Sequence, residues 1–258
     1  MIVYFSCASG SQIKTCRELK YHHVLINFAT KKNKPPAYGP ELFIDCGGFF
    51  SSLKSGRYTS SDQEYLEYVR KWQPKAWALR DYPCEPQLLQ LRGRSAQENV
   101  LRTVDHHRSL ITLAEDQGLQ DTAVPVLQGW TVEDYLYCLD RFRDEGLVRD
   151  YMAIGSVCRR GQIGQIVKIV TAIRRELPGW VRLHGFGLKY TALKERAIWD
   201  ALYSVDSGAW DYEARWRKHR GELSVPEASY IAATQYLQRL DSLEVWHRGQ
   251  STLPEAEA

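Results

Sequence analysis

Two aspartates, Asp45 in LFIDCGGFF (42–50) and Asp206 in LYSVDSGAW (202–210), each close an apolar run and open onto a Gly-containing turn. A carboxylate can attack an electrophilic carbon or carry a proton. Two carboxylates brought together can do both, which is the logic of double displacement at a sugar carbon. The residues that follow them, Gly47 and Gly48 on one side and Ser207 and Gly208 on the other, leave room for a substrate to approach the backbone. A single D-x-G segment is ordinarily just a turn. The weight lies in two of them at matching strand ends, with VLQGW and AIGSV between them.

Such residues need a scaffold that gathers distant strand ends onto one face. Short β-rich apolar runs alternate with longer amphipathic segments, the signature of parallel α/β architecture. Eight strands are expected, over 2–7, 23–29, 42–46, 76–81, 123–129, 151–156, 180–187 and 202–206. Helices are expected over 61–72, 95–117, 131–145, 161–176, 190–201 and about 226–244, several with capping signals: Ser61 before Glu64, Ser95 before Glu98, Thr131 before Asp134. The first two connections read as irregular, because residues 30–41 (TKKNKPPAYGPE) hold three lysines and three prolines, the mark of a surface loop. Eight strands in a 258-residue chain point to a single-domain (β/α)8 TIM barrel over 1–248, followed by a solvated tail, 249–258.

Charged residues at 25% and hydrophobic residues at 44% exclude a disordered chain and leave material for a full core. No apolar stretch reaches the roughly 18–20 residues that span a bilayer, and MIVYFSC lacks a basic signal-peptide start, so a cytoplasmic protein without a membrane partner is expected. The six cysteines show no C-x-x-C and no zinc spacing, which argues for reduced, mostly buried thiols and no metal. A net charge of +3 permits a nucleic-acid partner without requiring one.

In a parallel barrel the C-terminal strand ends converge on the catalytic face. That rule assembles Asp45, Gly47, Gly48, Asp81, Gln128, Gly129, Gly155, Ser156, His184, Gly187, Asp206 and Ser207. An aspartate can accept from a ring N–H and an exocyclic amine, a glutamine can address a carbonyl, and a glycine amide can donate, so the set suits a purine-like base. His184 near the rim is placed to bond a carboxylate or the substrate, or to serve as a satisfied core histidine. His106 and His107, adjacent on a helix, point about 100° apart and receive no catalytic role.

FIDCGGFF resembles the D-S-G-G-F motif of tRNA-guanine transglycosylases, VLQGW their V-Q-G segment, AIGSV their A-x-G-G segment, and LHGFG the stretch before their catalytic strand. The closer resemblance is to the DpdA branch, transglycosylase-like proteins that insert 7-deazaguanine bases into DNA, because YSVDSGAW is similar to its Y-S-V-D-S-x-x-W signature. The resemblance implies exchange of guanine in DNA for a preQ0-like 7-deazaguanine, with no cofactor. It makes Asp206 the nucleophile that forms a glycosyl-aspartate and Asp45 the general acid/base. Asp81, in RDYPCEP, takes the place of the base-recognising Asp; Gln128, Gly129, Gly155 and Ser156 fall on base-reading segments, with Gly47, Gly48 and Phe49 in the turn beneath the substrate. The sequence departs from the tRNA enzymes at Phe50, where they usually carry Gln, and no cysteine follows Cys158, so their zinc subdomain has no counterpart. The first removes a polar contact or replaces it by stacking; the second counts against a tRNA substrate.

Basic residues flank the expected mouth: Arg92 and Arg94, Arg159 and Arg160, and Arg215, Arg217, Lys218 and Arg220, the last run interleaved with Trp210, Tyr212 and Trp216. Phosphate donors beside stacking surfaces suit single-stranded DNA or a flipped base. Base exchange on tRNA, ribosyl transfer on a small nucleoside, a simple glycosidase, and a non-catalytic nucleic-acid-binding barrel are the competing readings. Retention of both aspartates and of the Gln–Gly segment argues against the last.

Overall fold

Every expected strand forms, and all pair in parallel. The computed structural model describes residues 1–31, 41–158, 160–212 and 224–250. The strands are β1 (Ile2–Ser6), β2 (Val24–Asn27), β3 (Leu42–Asp45), β4 (Ala76–Ala78), β5 (Ala123–Val124), β6 (Val126–Leu127), β7 (Tyr151–Ile154), β8 (Arg182–Gly185) and β9 (Ser204–Ser207). Their order in the nine-stranded sheet is β5-β4-β3-β2-β1-β9-β8-β7-β6. The two ends of that series, β5 and β6, are consecutive segments of one run interrupted at Pro125, which has no N–H to donate. The Pro125 carbonyl still accepts from the Ala153 amide at 2.8 Å, so the run 123–127 closes the sheet into an eight-position barrel.

Around the strands lie α1 (Gly10–Glu18), α2 (Phe28–Lys31), α3 (Gly48–Lys54), α4 (Asp62–Trp72), α5 (Pro86–Arg92), α6 (Ala96–Glu115), α7 (Val132–Asp144), α8 (Ile163–Glu176), α9 (Tyr190–Leu193), α10 (Arg196–Ala201) and a last helix, Val225–Gln250. The capping boxes expected at Ser61, Ser95 and Thr131 are all made. The irregularity expected of the first connection is corrected: α1 links β1 to β2, started by a Ser9/Gln12 capping box. The segment expected over 190–201 is two short helices, with the Glu195 amide turning back onto the Ala192 carbonyl between them. Of the lysine- and proline-rich stretch, residues 32–40 lie outside the described residues, as does the tail from 251 onward.

Alternation along each strand fixes what faces the barrel axis. Tyr4, Phe43 and His184 meet there, with ring centroids 5.5 Å apart for Tyr4–Phe43 and 4.8 Å for Phe43–His184. Two residues further along the same faces come Ser6, Asp45 and, beside His184, Phe186. The axis therefore carries an aromatic floor with polar side chains above it at the C-terminal ends. On the outer face, Phe5 stacks on Trp210 at 4.9 Å and meets Tyr236 of the last helix edge-on. No helix among the described residues is long and apolar enough to cross a membrane.

Candidate active site

Asp206 ends up buried on β9, and each of its oxygens is held. Oδ1 accepts from the Gly187 amide at 2.7 Å and faces His184 Nε2 at 3.3 Å, while Oδ2 accepts from the Ser6 hydroxyl. These partners come from the ends of two neighbouring strands, β1 and β8, so the carboxylate cannot swing without breaking bonds to β1 and to the β8 turn. Asp45, at the end of β3, is more open. Asn27, its register partner on β2, donates to Oδ2, and the Gly47 amide reaches Oδ1 at 3.2 Å. Gly47 has φ +81°, and a Cβ there would lie 2.4 Å from that of Ala29, so this turn requires glycine.

The electrostatics set Asp45 apart. Withdrawal from water, and then the neighbouring Asp81 charge, push its carboxyl from the usual 3.8 up to about 7, against the lowering donation from Gly47; Asp206 adds to the rise. Burial also raises Asp81. Its Oδ1 accepts from the Cys46 thiol at 3.0 Å, and its Oδ2 accepts from Gln128 Nε2. Gln128 in turn accepts from Ser156 Oγ at 2.7 Å, and Ser156 takes a bond from the Cys84 amide at 2.9 Å while lying 2.9 Å from Glu85 Oε2. Ser156 holds this place with φ +51°, a left-handed conformation uncommon for a residue with a side chain.

These groups enclose a cavity of about 160 Å³ lined by Asp45, Gly48, Phe49, Asp81, Gln128 and Asp206, among others. On the far side of the two aspartates a larger cleft, about 520 Å³, is lined by Ser6, Ser9, Ser11, Gln12, Asn27 and Phe50. Asp45, Asp206 and Leu25 belong to both. A planar ring in the small cavity and a sugar in the larger cleft would place the bond between them at the two carboxylates.

Not every expected residue faces that cavity. Gly129 abuts the start of α7, where a Cβ would lie 2.7 Å from the Tyr135 amide nitrogen. Gly155 lines the cavity, but its amide is spent on the Leu127 carbonyl at 2.9 Å, so it contributes by its smallness: a Cβ there would meet Gln128 at 2.2 Å. His184, fully buried, sits behind Asp206 and so addresses the carboxylate instead of a base. Arg160 is buried, its guanidinium 4.0 Å over the Trp130 ring and bonded to the Trp130 and Ser156 carbonyls, so its charge is spent within the fold. Arg92 is half-buried and bonds the Leu53 carbonyl at 2.8 Å; Arg94 is half-buried as well. Arg159, Arg215, Arg217, Lys218 and Arg220 lie outside the described residues. His107 is fully buried against Phe142, and His106 bonds Asp62 at 2.9 Å.

Three contributors escaped the sequence reading. Ser6 and Asn27 stand at the ends of β1 and β2, where the strand-end rule that found Asp45 would have found them too. Glu85, buried beside Ser156, follows Asp81 in RDYPCEP and had no periodic signal. Among the described residues, no group of three or more His, Cys, Asp or Glu is arranged to hold a metal ion.

The family model described as DpdA, DeoxyPurine in DNA protein A, matches residues 20–231. The chain belongs to the DpdA family. That match takes in β2 through β9 and with them both aspartates, Asp81, Gln128 and Ser156. DpdA membership makes the chain a transglycosylase-type protein of DNA modification with DNA as its substrate. No curated protein matches the chain.

Proposed function

We propose that this DpdA protein exchanges guanine in DNA for a 7-deazaguanine through a covalent glycosyl-Asp206 intermediate, with Asp45 as the acid/base. The observation that carries the reading is the pair of carboxylates shared by the small cavity and the larger cleft, one of them with its carboxyl raised to about 7. In the first half an Asp206 oxygen attacks C1′, and the C1′–N9 pair leaves with the guanine. Asp45, protonated at the outset, gives its proton to the departing base. In the second half Asp45, now a carboxylate, takes the N9 proton of the incoming deazaguanine. The freed nitrogen attacks C1′, and the ester pair returns to Asp206. Two inversions give net retention, and Asp45 ends as it began.

Asp81 and Gln128 are the base readers in this scheme. Each Asp81 oxygen already accepts one bond, but a carboxylate oxygen can accept a second, and Gln128 Nε2 has one further N–H. Ser6, Ser9 and Ser11 give the larger cleft hydroxyls for the sugar and backbone. Phe50, half exposed on its rim, offers a ring face where the tRNA enzymes usually carry an amide.

The test is incorporation of a 7-deazaguanine base into DNA, read by mass spectrometry of digested nucleosides, for wild type, Asp206→Ala and Asp206→Asn. Wild type is expected to give a denaturation-resistant protein–DNA adduct that both variants lack. Wild-type turnover in either variant would refute the assignment.

A further inference from the structure

The groups behind the nucleophile form an ordered series reaching into the barrel. His184 Nε2 faces Asp206 Oδ1 at 3.3 Å; His184 Nδ1 lies 2.8 Å from Ser204 Oγ; Ser204 Oγ lies 2.6 Å from the Tyr151 hydroxyl. The register explains the series: His184 on β8 is paired with Ser204 on β9, and Ser204 precedes Asp206 by one alternation on the same strand face. His184 and Ser204 have no solvent exposure. The imidazole is also wedged edge-on between Tyr4 and Phe186, with centroids 5.9 and 4.6 Å away, so its plane is set by packing.

Hydrogen-bond accounting fixes what reaches Asp206. An ionised carboxylate opposite a bare ring nitrogen would be lone pair against lone pair, so Nε2 must carry a proton. In the neutral imidazole, Nδ1 then accepts from the Ser204 hydroxyl, which is left to accept from Tyr151; burial pushes the Tyr151 phenol up, so it keeps the proton it donates. With the Gly187 amide and the Ser6 hydroxyl, the His184 N–H is a third donor to the carboxylate.

We infer that His184, aimed from the barrel interior by Ser204 and Tyr151, is a positioning residue that holds Asp206 for attack and stabilises it as the leaving group of the second half-reaction. The inference rests on the reading of Asp206 as nucleophile. A donor to a carboxylate favours the charged form, and Asp206 spends its charge when the ester forms and regains it when the ester breaks. Removing the donor therefore slows ester breakdown more than ester formation.

The experiment compares wild type, His184→Phe, His184→Gln and Ser204→Ala for turnover and for the fraction of enzyme trapped as the DNA adduct at steady state. Phe fills the aromatic niche without a donor; Gln can restore an N–H near the Nε2 position. For His184→Phe turnover is expected to fall at least about tenfold while the adduct fraction rises, as expected from loss of a hydrogen bond to a charged group. His184→Gln should recover most of the loss, and Ser204→Ala should shift both quantities in the same direction by less. Should His184→Phe fail to fold, Ser204→Ala carries the same comparison. A fall in turnover with an unchanged or lower adduct fraction, or Gln no better than Phe, overturns the inference. The nucleophile reading is judged separately: an Asp206→Asn protein that turns over overturns it whatever the His184 variants do.

Discussion

Asp45 and Asp206 are the same residue type at equivalent strand ends, and their neighbours give them different surroundings. Asp206 has three donors around it, whereas Asp45 has two and faces the charge of Asp81. In the proposed scheme a carboxyl raised from 3.8 to about 7 would be protonated often enough to expel guanine and ionised often enough to receive the next proton. Single-turnover adduct formation is accordingly expected to decline above about pH 7, and adduct breakdown by added deazaguanine to decline below it. Opposite slopes in the two half-reactions, measured by quench and gel, would establish the role; parallel slopes would remove it. The same shift bears on stability. As pH rises from 3.8 to about 7, the unfolded chain gives up this proton before the folded one does, so stability falls through that window. Asp45→Asn should lose exchange yet melt higher than wild type at pH 8. The gap should be on the order of 2–4 kcal/mol wider than at pH 3.5, allowing for the side chain's partial exposure. A gap in melting temperature independent of pH would contradict the assigned shift.

Strand ends made the barrel and most of the site legible, because one periodicity governs both. In β3 the alternation that buries Phe43 on the axis also presents Asp45 two residues later, and in β9 it presents Ser204 and Asp206. Contacts that depend on where loops return were not legible. Glu85 meets Ser156 across 71 positions, and Arg160 turns inward onto Trp130, for which a run of two arginines gives no hint. Helix α1 was missed although Ser9 and Gln12 form a capping box, because the prolines after residue 34 dominated the reading of that half of the barrel. The β7-to-α8 turn shows how closely an element and its function are tied. Gly155 leaves room for the Gln128 amide that reaches Asp81, and a methyl group there would meet that amide at 2.2 Å. Gly155→Ala should keep the barrel, since the strand itself is undisturbed, and displace Gln128. The expected result is a KM for the free base raised by about tenfold to a hundredfold, the scale of an ångström-level misplacement, in a protein that still folds but melts lower by the cost of the buried Gln128 bonds it loses. A KM like that of wild type would mean that Gln128 does not read the base.

The cavity of about 160 Å³ and the cleft of about 520 Å³ share Leu25, Asp45 and Asp206, and under the proposed reading a nucleotide out of its stack would occupy both. In duplex DNA, C1′ and the Watson–Crick edge of guanine are shielded by the partner strand and by neighbouring bases, while Asp81 and Gln128 stand in a cavity of about 160 Å³ walled by Phe49. The chain's net charge of +3 gives little general attraction to phosphate, and Arg160 is committed to the fold. Under the proposed reading, extrusion is then offset mainly by contacts made inside the site. Unpairing and unstacking cost a few kcal/mol, less where the guanine is mismatched or already single-stranded. Exchange at a single-stranded or mismatched guanine should therefore outpace exchange at the same guanine in a perfect duplex. A cost of about 1.4–2.8 kcal/mol corresponds to about tenfold to a hundredfold in kcat/KM at subsaturating DNA. The measurement is incorporation of a 7-deazaguanine into three oligonucleotides that differ only in the strand opposite the target. Equal rates on all three would mean that extrusion is not borne by the site, and the paired cavity and cleft would then need a different occupant.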